Sequence, residues 1–506
     1  MSAKYPNPLI PGFNPDPSIV RVGDDYYLAT STFEYLPGVP IYHSTDLVEW
    51  SLIGHVVTRE GQLQGRGVPT AGGAWAPTIR HRDGKFYVMV TDALGRGTLI
   101  FTAQNPAGPW SDGIVTDING IDPDIAWDDN GDCYVTYSGL LLTGEQLGQH
   151  LGIMQVKIDV ETGKSLEEPR HMWSGTGLMF PEAPHVYKVG EWWYLMIAEG
   201  GTERGHSESI ARSKSITGPF EGAPNNPILS ARSTSRPAQN TGHGDLVIAP
   251  DGNWVMVMLG MRTRGMTRAF SSLGRETFIT EVAWTPDGWL TAEPVILNDV
   301  NPAPEFRDDF AGAELSGEWV AVRRFAHEFT ELGSGGLILH GEGRSMFEEL
   351  PAFVGRRQRR FEGIVVAEIK VAANGIGGLS MRYDEVSHYD LEFREGRLLA
   401  RFAANRLVHE VEAEGFDLAA ATDSAGFVRA YLELKPAPGF FGTDAQSSDY
   451  IEFGWIDPAG QKHAVTEFDG RFLSAEVTAS FTGRVIGMYA QSGDVVVRNY
   501  AELASL

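Results

Sequence analysis

Hydrophobic and polar residues alternate along most of this chain in short runs, each bounded by Gly, Pro, Asn or Asp. That texture predicts strands joined by tight turns, and long amphipathic helical stretches are scarce. One pattern recurs five times: a turn rich in Gly or Asp, then an aromatic and apolar strand. It reads Val-Gly-Asp-Asp-Tyr-Tyr-Leu-Ala-Thr at 22–30, Asp-Gly-Lys-Phe-Tyr-Val-Met-Val at 83–90 and Asn-Gly-Asp-Cys-Tyr-Val-Thr-Tyr at 130–137. It returns as Val-Gly-Glu-Trp-Trp-Tyr-Leu-Met at 189–196 and Asp-Gly-Asn-Trp-Val-Met-Val-Met at 251–258. Asn-Gly and Asp-Gly suit tight hairpins because Gly tolerates positive φ. The aromatic markers Tyr26, Phe86, Tyr134, Trp193 and Trp254 lie 60, 48, 59 and 61 residues apart. Each interval holds about four strands, which is one propeller blade. A five-bladed β-propeller over residues 1–300 is expected.

In a propeller the innermost strands line one axial channel, so equivalent positions converge. Stepping back 10 to 12 residues from each marker gives Asp16, Trp75, Asp122, Glu182 and His243. These five are expected to share one structural address. Several stand beside Pro or Gly, which interrupt regular pairing. Taken singly, an Asp-Pro is a turn and a Trp is core. Taken together, three acids, a His and a Trp around one channel make a sugar site.

Composition narrows the partners. The chain has 506 residues, too many for one ordinary core, and 41 Lys+Arg against 66 Asp+Glu leave a net charge of −25. Such a surface disfavours nucleic acid and anionic lipid, and is compatible with a neutral sugar. The single cysteine, Cys133, excludes an intrachain disulfide and a cysteine metal cluster. The N-terminal stretch lacks the basic segment and apolar run of a secretory signal, and no apolar stretch is long enough to span a bilayer. A cytoplasmic location is expected, and self-association is left open.

Cleaving a glycosidic bond takes a neutral carboxyl to protonate the leaving oxygen and an ionised one to activate water or attack directly. A third carboxylate raises the pKa of the acid by like-charge repulsion. Motifs then make the comparison specific. They are Asn-Pro-Leu-Ile-Pro-Gly-Phe-Asn-Pro-Asp-Pro-Ser-Ile (7–19), Gly-Asp-Asp-Tyr-Tyr through Pro-Gly-Val-Pro-Ile (23–41), Pro-Glu-Ala-Pro-His-Val-Tyr-Lys (181–188), Ala-Glu-Gly-Gly-Thr (198–202), Gly-Arg-Glu-Thr (274–277) and Arg-Asp-Asp-Phe (307–310). With these the chain resembles glycoside hydrolase family 43, in particular its β-xylosidases and α-L-arabinofuranosidases with an added β-sandwich. The resemblance implies an inverting mechanism with Asp16 as general base, Glu182 as general acid and Asp122 tuning the acid. Asp124 competes for that last role. It further implies Phe33 and Trp75 as walls against the sugar ring, His243 as a polar contact, and Arg275 as a partner of sugar hydroxyls and carboxylates. No cofactor is required.

Segment 298–306 reads as a linker, and residues 307–506 alternate in strand fashion, as at 363–371 and 428–434, which favours a β-sandwich. In the resembling enzymes this domain lends a loop aromatic to the site, a role that Phe481 matches. Some relatives hold calcium between acids near the two ends of the sandwich. Asp308 and Asp309 supply one end here, but strand 494–500 does not clearly keep the other. The stretch Asp128–Asp132 lacks the full ligand pattern of an EF-hand. The leading expectation is an exo-acting β-xylosidase on xylo-oligosaccharides, with α-L-arabinofuranosidase as the alternative. A non-catalytic sugar-binding protein is the alternative of another class, and the presence of all three acids weighs against it. A retaining propeller enzyme would carry an Asn-Asp-Pro-Asn-Gly-like segment, which is absent. Gly-x-Ser-x-Gly and His-Glu-x-x-His are absent too.

Overall fold

The computed structural model describes residues 4–265, 270–297, 303–437 and 447–506. It is an all-β protein that divides into two compact units: Met1–Arg262 with Arg275–Asn301, and Thr263–Gly274 with Pro302–Leu506. Most of the expected linker, residues 298–302, lies outside the described residues.

The first unit is a five-bladed β-propeller, each blade an antiparallel sheet that runs outward in chain order. The innermost strands are Ser18–Val22, Gly73–Arg82, Ile121–Trp127, Glu182–Val189 and Ala238–Ile248. The recurring aromatic segments form the second strands: Asp25–Ala29, Lys85–Ala93, Cys133–Leu140, Trp192–Glu199 and Trp254–Arg262. These strands are apolar on both faces because each blade packs against a neighbour on either side. Met89, Val135, Leu195, Met196, Val255 and Met256 are all fully buried. The ring closes between blades one and five. Ile19, Tyr26 and Leu28 pack with Val247, Val255, Val257 and Ile279, together with Leu9 and Ile10 from the N-terminal segment. That segment adds itself to the edge of blade five, with Leu9 and Ile10 N–H donating to the Thr277 carbonyl and Asn14 N–H to that of Arg275.

Four inner strands lose register between Trp75 and Thr78, Ile121 and Asp124, Glu182 and His185, and Gly242 and Asp245, the last also between Gln239 and Gly242. The residues Asp16, Ala76, Asp122, Ala183 and His243 all take positive φ. Each stands two residues before a paired position: Ser18, Thr78, Asp124, His185 or Asp245. The following residue is Pro in blades one to four and Gly in blade five. Proline has no N–H to give the ladder, so the strand bulges there and re-aims the side chains beside it.

This register corrects the shared address expected from the sequence. The equivalent set is Asp16, Ala76, Asp122, Ala183 and His243; Trp75 and Glu182 stand one residue earlier. The cause is turn length. The hairpins close at Val22–Asp25, Arg82–Lys85 and Val189–Trp192, but need five residues between Trp127 and Cys133 and between Ile248 and Trp254. Counting back from an aromatic marker therefore cannot resolve a single residue.

The second unit is a concanavalin-like β-sandwich. Its nineteen-residue strand Val485–Leu503 serves both sheets. The first part pairs with Ala352–Arg357 and Ile376–Arg382, the second with Gly336–Glu342 and Gly363–Val371. Leu379, Met381, Tyr389 and Leu391 face Val365, Ala367, Leu432 and Phe453 in one core. Residues Thr263–Gly274, which follow the second strand of blade five in sequence, belong to this unit. Ser271 N–H and hydroxyl both donate to the Glu476 carboxylate, at 2.8 and 2.6 Å.

The two acids considered for one end of a calcium site accept hydrogen bonds from their neighbours. Asp308 accepts from Phe310 N–H and the Trp319 indole, both at 2.8 Å, and Asp309 accepts from Ala311 N–H at 3.1 Å. Among the described residues no three His, Cys, Asp or Glu side chains gather to hold an ion.

Candidate active site

The bulges bring Asp16, Asp122, Glu182 and His243 together at one end of the propeller channel. Asp16 precedes the inner strand of blade one. Its Oδ1 accepts from Arg275 Nη1 at 2.8 Å, and its Oδ2 accepts from the Ser31 hydroxyl at 2.6 Å. His243 Nδ1 lies 3.6 Å from Oδ1. Burial alone would push this carboxyl up, but the Arg275 guanidinium, helped by the Ser31 hydrogen bond, holds Asp16 below the ordinary carboxylate range.

The other two acids go the opposite way. Asp122 is pushed up to about 7, first by burial and then by the charge on Asp16, against the Ala183 N–H that donates to its Oδ2 at 3.0 Å. Glu182 is raised well above the usual range by burial, then by Asp122 and Asp16. One anion beside Arg275 thus faces a carboxyl that keeps its proton. His243 is pushed down to about 3 by burial, against the pull of Asp16, so its ring is neutral. His206 behaves alike, lowered to about 4 by burial while its Nδ1 donates to the Asn240 carbonyl at 2.9 Å.

Aromatic rings stand beside the acids. Phe33, at positive φ, is bridged to Ala74 of blade two, with N–H and carbonyl each 3.0 Å from their partners. Gly73 makes this approach possible, because a Cβ there would lie 2.4 Å from the Phe33 carbonyl oxygen. The Phe33 ring sits 6.4 Å from that of Trp75 and 5.5 Å from the Arg275 guanidinium. The Trp75 indole donates to the Ala71 carbonyl at 2.6 Å, which fixes the plane of its ring. Arg275 Nη1 also donates to the Thr202 hydroxyl at 3.3 Å.

Asp16, Asp122, Glu182, His243, Arg275, Phe33 and Trp75 therefore form one constellation in the first unit. Phe481 lies in the second unit, after the short helix Ala475–Thr478, and is 39% exposed. Asp124, the competitor of Asp122, is paired instead with Arg80 at 2.8 Å and accepts from Val186 N–H. Sequence reasoning missed Ser31, Thr202 and His206 as neighbours. Ser31 and Thr202 stand inside the motifs that carry the resemblance, whereas nothing local marks His206.

A propeller that gathers one ionised and one protonated carboxyl beside aromatic rings has the make-up of a glycoside hydrolase. Residues 5–290 match the model of glycosyl hydrolases family 43, and residues 307–505 match that of the β-xylosidase C-terminal concanavalin A-like domain. The chain belongs to glycoside hydrolase family 43. It is 38% identical to a non-reducing end α-L-arabinofuranosidase of Bacteroides ovatus, over 98% of this chain and 93% of that protein. It is 32% identical to a xylosidase/arabinosidase of Butyrivibrio fibrisolvens, over 98% and 97%. Among solved structures, the xylan β-1,4-xylosidase of Bacillus halodurans superposes with a TM-score of 0.86 at 30% identity, over 99% of this chain and all of that one.

Proposed function

We propose that this enzyme is an inverting exo-β-xylosidase that removes xylose from the non-reducing end of β-1,4-linked xylo-oligosaccharides. In this reading Asp16 takes a proton from water, Glu182 protonates the departing sugar oxygen, and Asp122 keeps Glu182 protonated. Phe33 and Trp75 pack on the sugar, while His243 and Arg275 meet its hydroxyls. The observation that carries the reading is the split between Asp16, held ionised beside Arg275, and Glu182, held neutral. No cofactor takes part. A cytoplasmic enzyme fed by short imported sugars completes the proposal, and its activity should fractionate with the cell interior.

A second reading, α-L-arabinofuranosidase, is favoured by the Bacteroides ovatus relative, which is similar along nearly the whole chain. Nitrophenyl β-D-xylopyranoside and α-L-arabinofuranoside separate the two. The proposal expects kcat/KM to favour the xyloside by at least ~10-fold, about 1.4 kcal/mol in transition-state binding, unchanged by EDTA. Preference for the arabinofuranoside would transfer the assignment to the second reading. NMR of the first-formed sugar should show α-xylose; β-xylose would refute inversion.

Asp122→Asn tests the division of labour through pH. Activity needs Asp16 ionised, so it falls as pH drops through that group's lowered pKa. It also needs Glu182 protonated, so it falls as pH rises through that group's raised pKa. Removing the Asp122 charge withdraws a cause that raises Glu182. The alkaline limb of kcat/KM should therefore move to lower pH. An alkaline limb that stays in place or moves upward would count against Asp122 as the tuning group.

A further inference from the structure

Below the carboxylates, two residues further along each inner strand, lies a second polar layer. Two residues of strand rise correspond to ~7 Å. The layer consists of Ser18, Thr78, Asp124, His185 and Asp245, one from each blade. Arg80 of blade two reaches four of the five. Its Nη1 donates to Asp245 Oδ2 at 2.8 Å, to the Ser18 hydroxyl at 3.2 Å and to the Ile79 carbonyl at 2.9 Å. Its Nη2 lies 2.8 Å from Asp124 Oδ1 and 2.8 Å from His185 Nδ1. The same His185 Nδ1 lies 3.3 Å from Asp124 Oδ1. Asp245 is saturated further by the Ser18 hydroxyl at 2.7 Å, Ile19 N–H at 2.9 Å and the Tyr187 hydroxyl at 2.6 Å. The Asp124 and Asp245 side chains are 0% exposed and that of Arg80 is 15% exposed.

One cation thus holds residues from all five blades at the level immediately below the bulges. Asp124 is two residues from Asp122, His185 three from Glu182, Ser18 two from Asp16 and Asp245 two from His243. Asp16, Asp122, Ala183 and His243 lack regular ladder pairing and sit at positive φ, and Glu182 stands immediately before one of these bulges. Their direction is therefore set by what anchors the strand on either side. A neutral or single-pronged residue at position 80 could not bridge two carboxylates on different blades.

We infer that Arg80 is a positioning residue for catalysis, whose guanidinium fixes the mutual geometry of Asp16, Asp122 and Glu182 by tying the five inner strands together beneath them. The inference rests on the proposed roles of those carboxylates, which the Glu182 and Asp16 variants test separately. A purely structural cluster would alter melting temperature and leave the turnover of each folded molecule intact. A positioning cluster alters turnover itself, because misplacing reacting groups by ~1 Å costs about 10²-fold.

The test uses the full chain and a nitrophenyl glycoside that it cleaves. In Arg80→Met, kcat per folded molecule should fall at least ~50-fold with KM within ~3-fold, on the same scale of misplacement. Arg80→Lys should be intermediate, since an ammonium meets one carboxylate where the fork meets two. Guanidinium chloride at low millimolar concentration should raise the kcat of Arg80→Met and leave the wild type unchanged, with sodium chloride ineffective. A kcat within ~3-fold of wild type in folded Arg80→Met overturns the inference, as does a loss confined to KM. If Arg80→Met does not fold, Ser18→Ala decides. It removes the hydroxyl shared by Arg80, Asp245 and Ile79 N–H, and is expected to lower kcat ~5-fold; wild-type kcat there and in Arg80→Lys overturns the inference.

Discussion

Glu182→Gln is expected to lose kcat by about 10³-fold on a xylo-oligosaccharide, about 4 kcal/mol of transition-state stabilisation. The amide keeps the size of the side chain and has no proton to give. The loss should depend on what leaves. A sugar alkoxide is a poor leaving group and needs the proton; a dinitrophenolate does not, so there the loss should shrink to about tenfold or less. Comparing kcat on xylobiose and on a dinitrophenyl xyloside checks this directly. Equal losses on both would remove Glu182 from the acid role. Burial and the charges of Asp122 and Asp16 keep this carboxyl protonated above the ordinary range. The wild type should therefore remain active on oligosaccharides at pH values where an exposed glutamate would be spent.

Asp16→Ala should cost at least ~10³-fold in kcat on every leaving group alike, because activation of water is common to all of them. The substitution also leaves Arg275 without its anion and Ser31 without its acceptor. A lower melting temperature is thus expected, and kcat must be taken per folded molecule. The space vacated by the carboxylate lies on the water side of the sugar. Azide entering it needs no general base, so it should restore turnover and yield a glycosyl azide of inverted configuration. An azide product of retained configuration, or a loss that varies with leaving group, would break the assignment. The two variants thus separate acid from base, since only the loss in Glu182→Gln depends on the leaving group.

Much of this was legible before any coordinates. The five hairpins were, because each is local: a Gly or Asp turn and an apolar strand fold on themselves wherever they stand in the chain. Strand Gly363–Val371 of the sandwich was visible for the same reason. The three carboxylates stood out because Pro follows Asp16 and Asp122 directly and follows Glu182 by two. That offset of one residue is where the sequence argument failed. Glu182 was grouped with the Asp16 position, whereas Ala183 occupies it. The difference matters chemically, since a shift of one residue along a strand turns a side chain to another direction. Arg80 was silent for a different reason. In sequence it is one Arg after a Pro-Thr-Ile, and its partners come from four other blades, up to 165 residues away.

Local pattern alone specifies repeated antiparallel units, three acids at their inner edges and an alternating second domain. These follow from patterns within a few residues, where periodicity and turn chemistry act. Which acid is charged depends on the folded molecule. Asp16 is held ionised by Arg275, 259 residues further along the chain, and Glu182 is held neutral by burial and by Asp122 from a neighbouring blade. A pKa is a property of surroundings, and these surroundings exist only once the ring has closed.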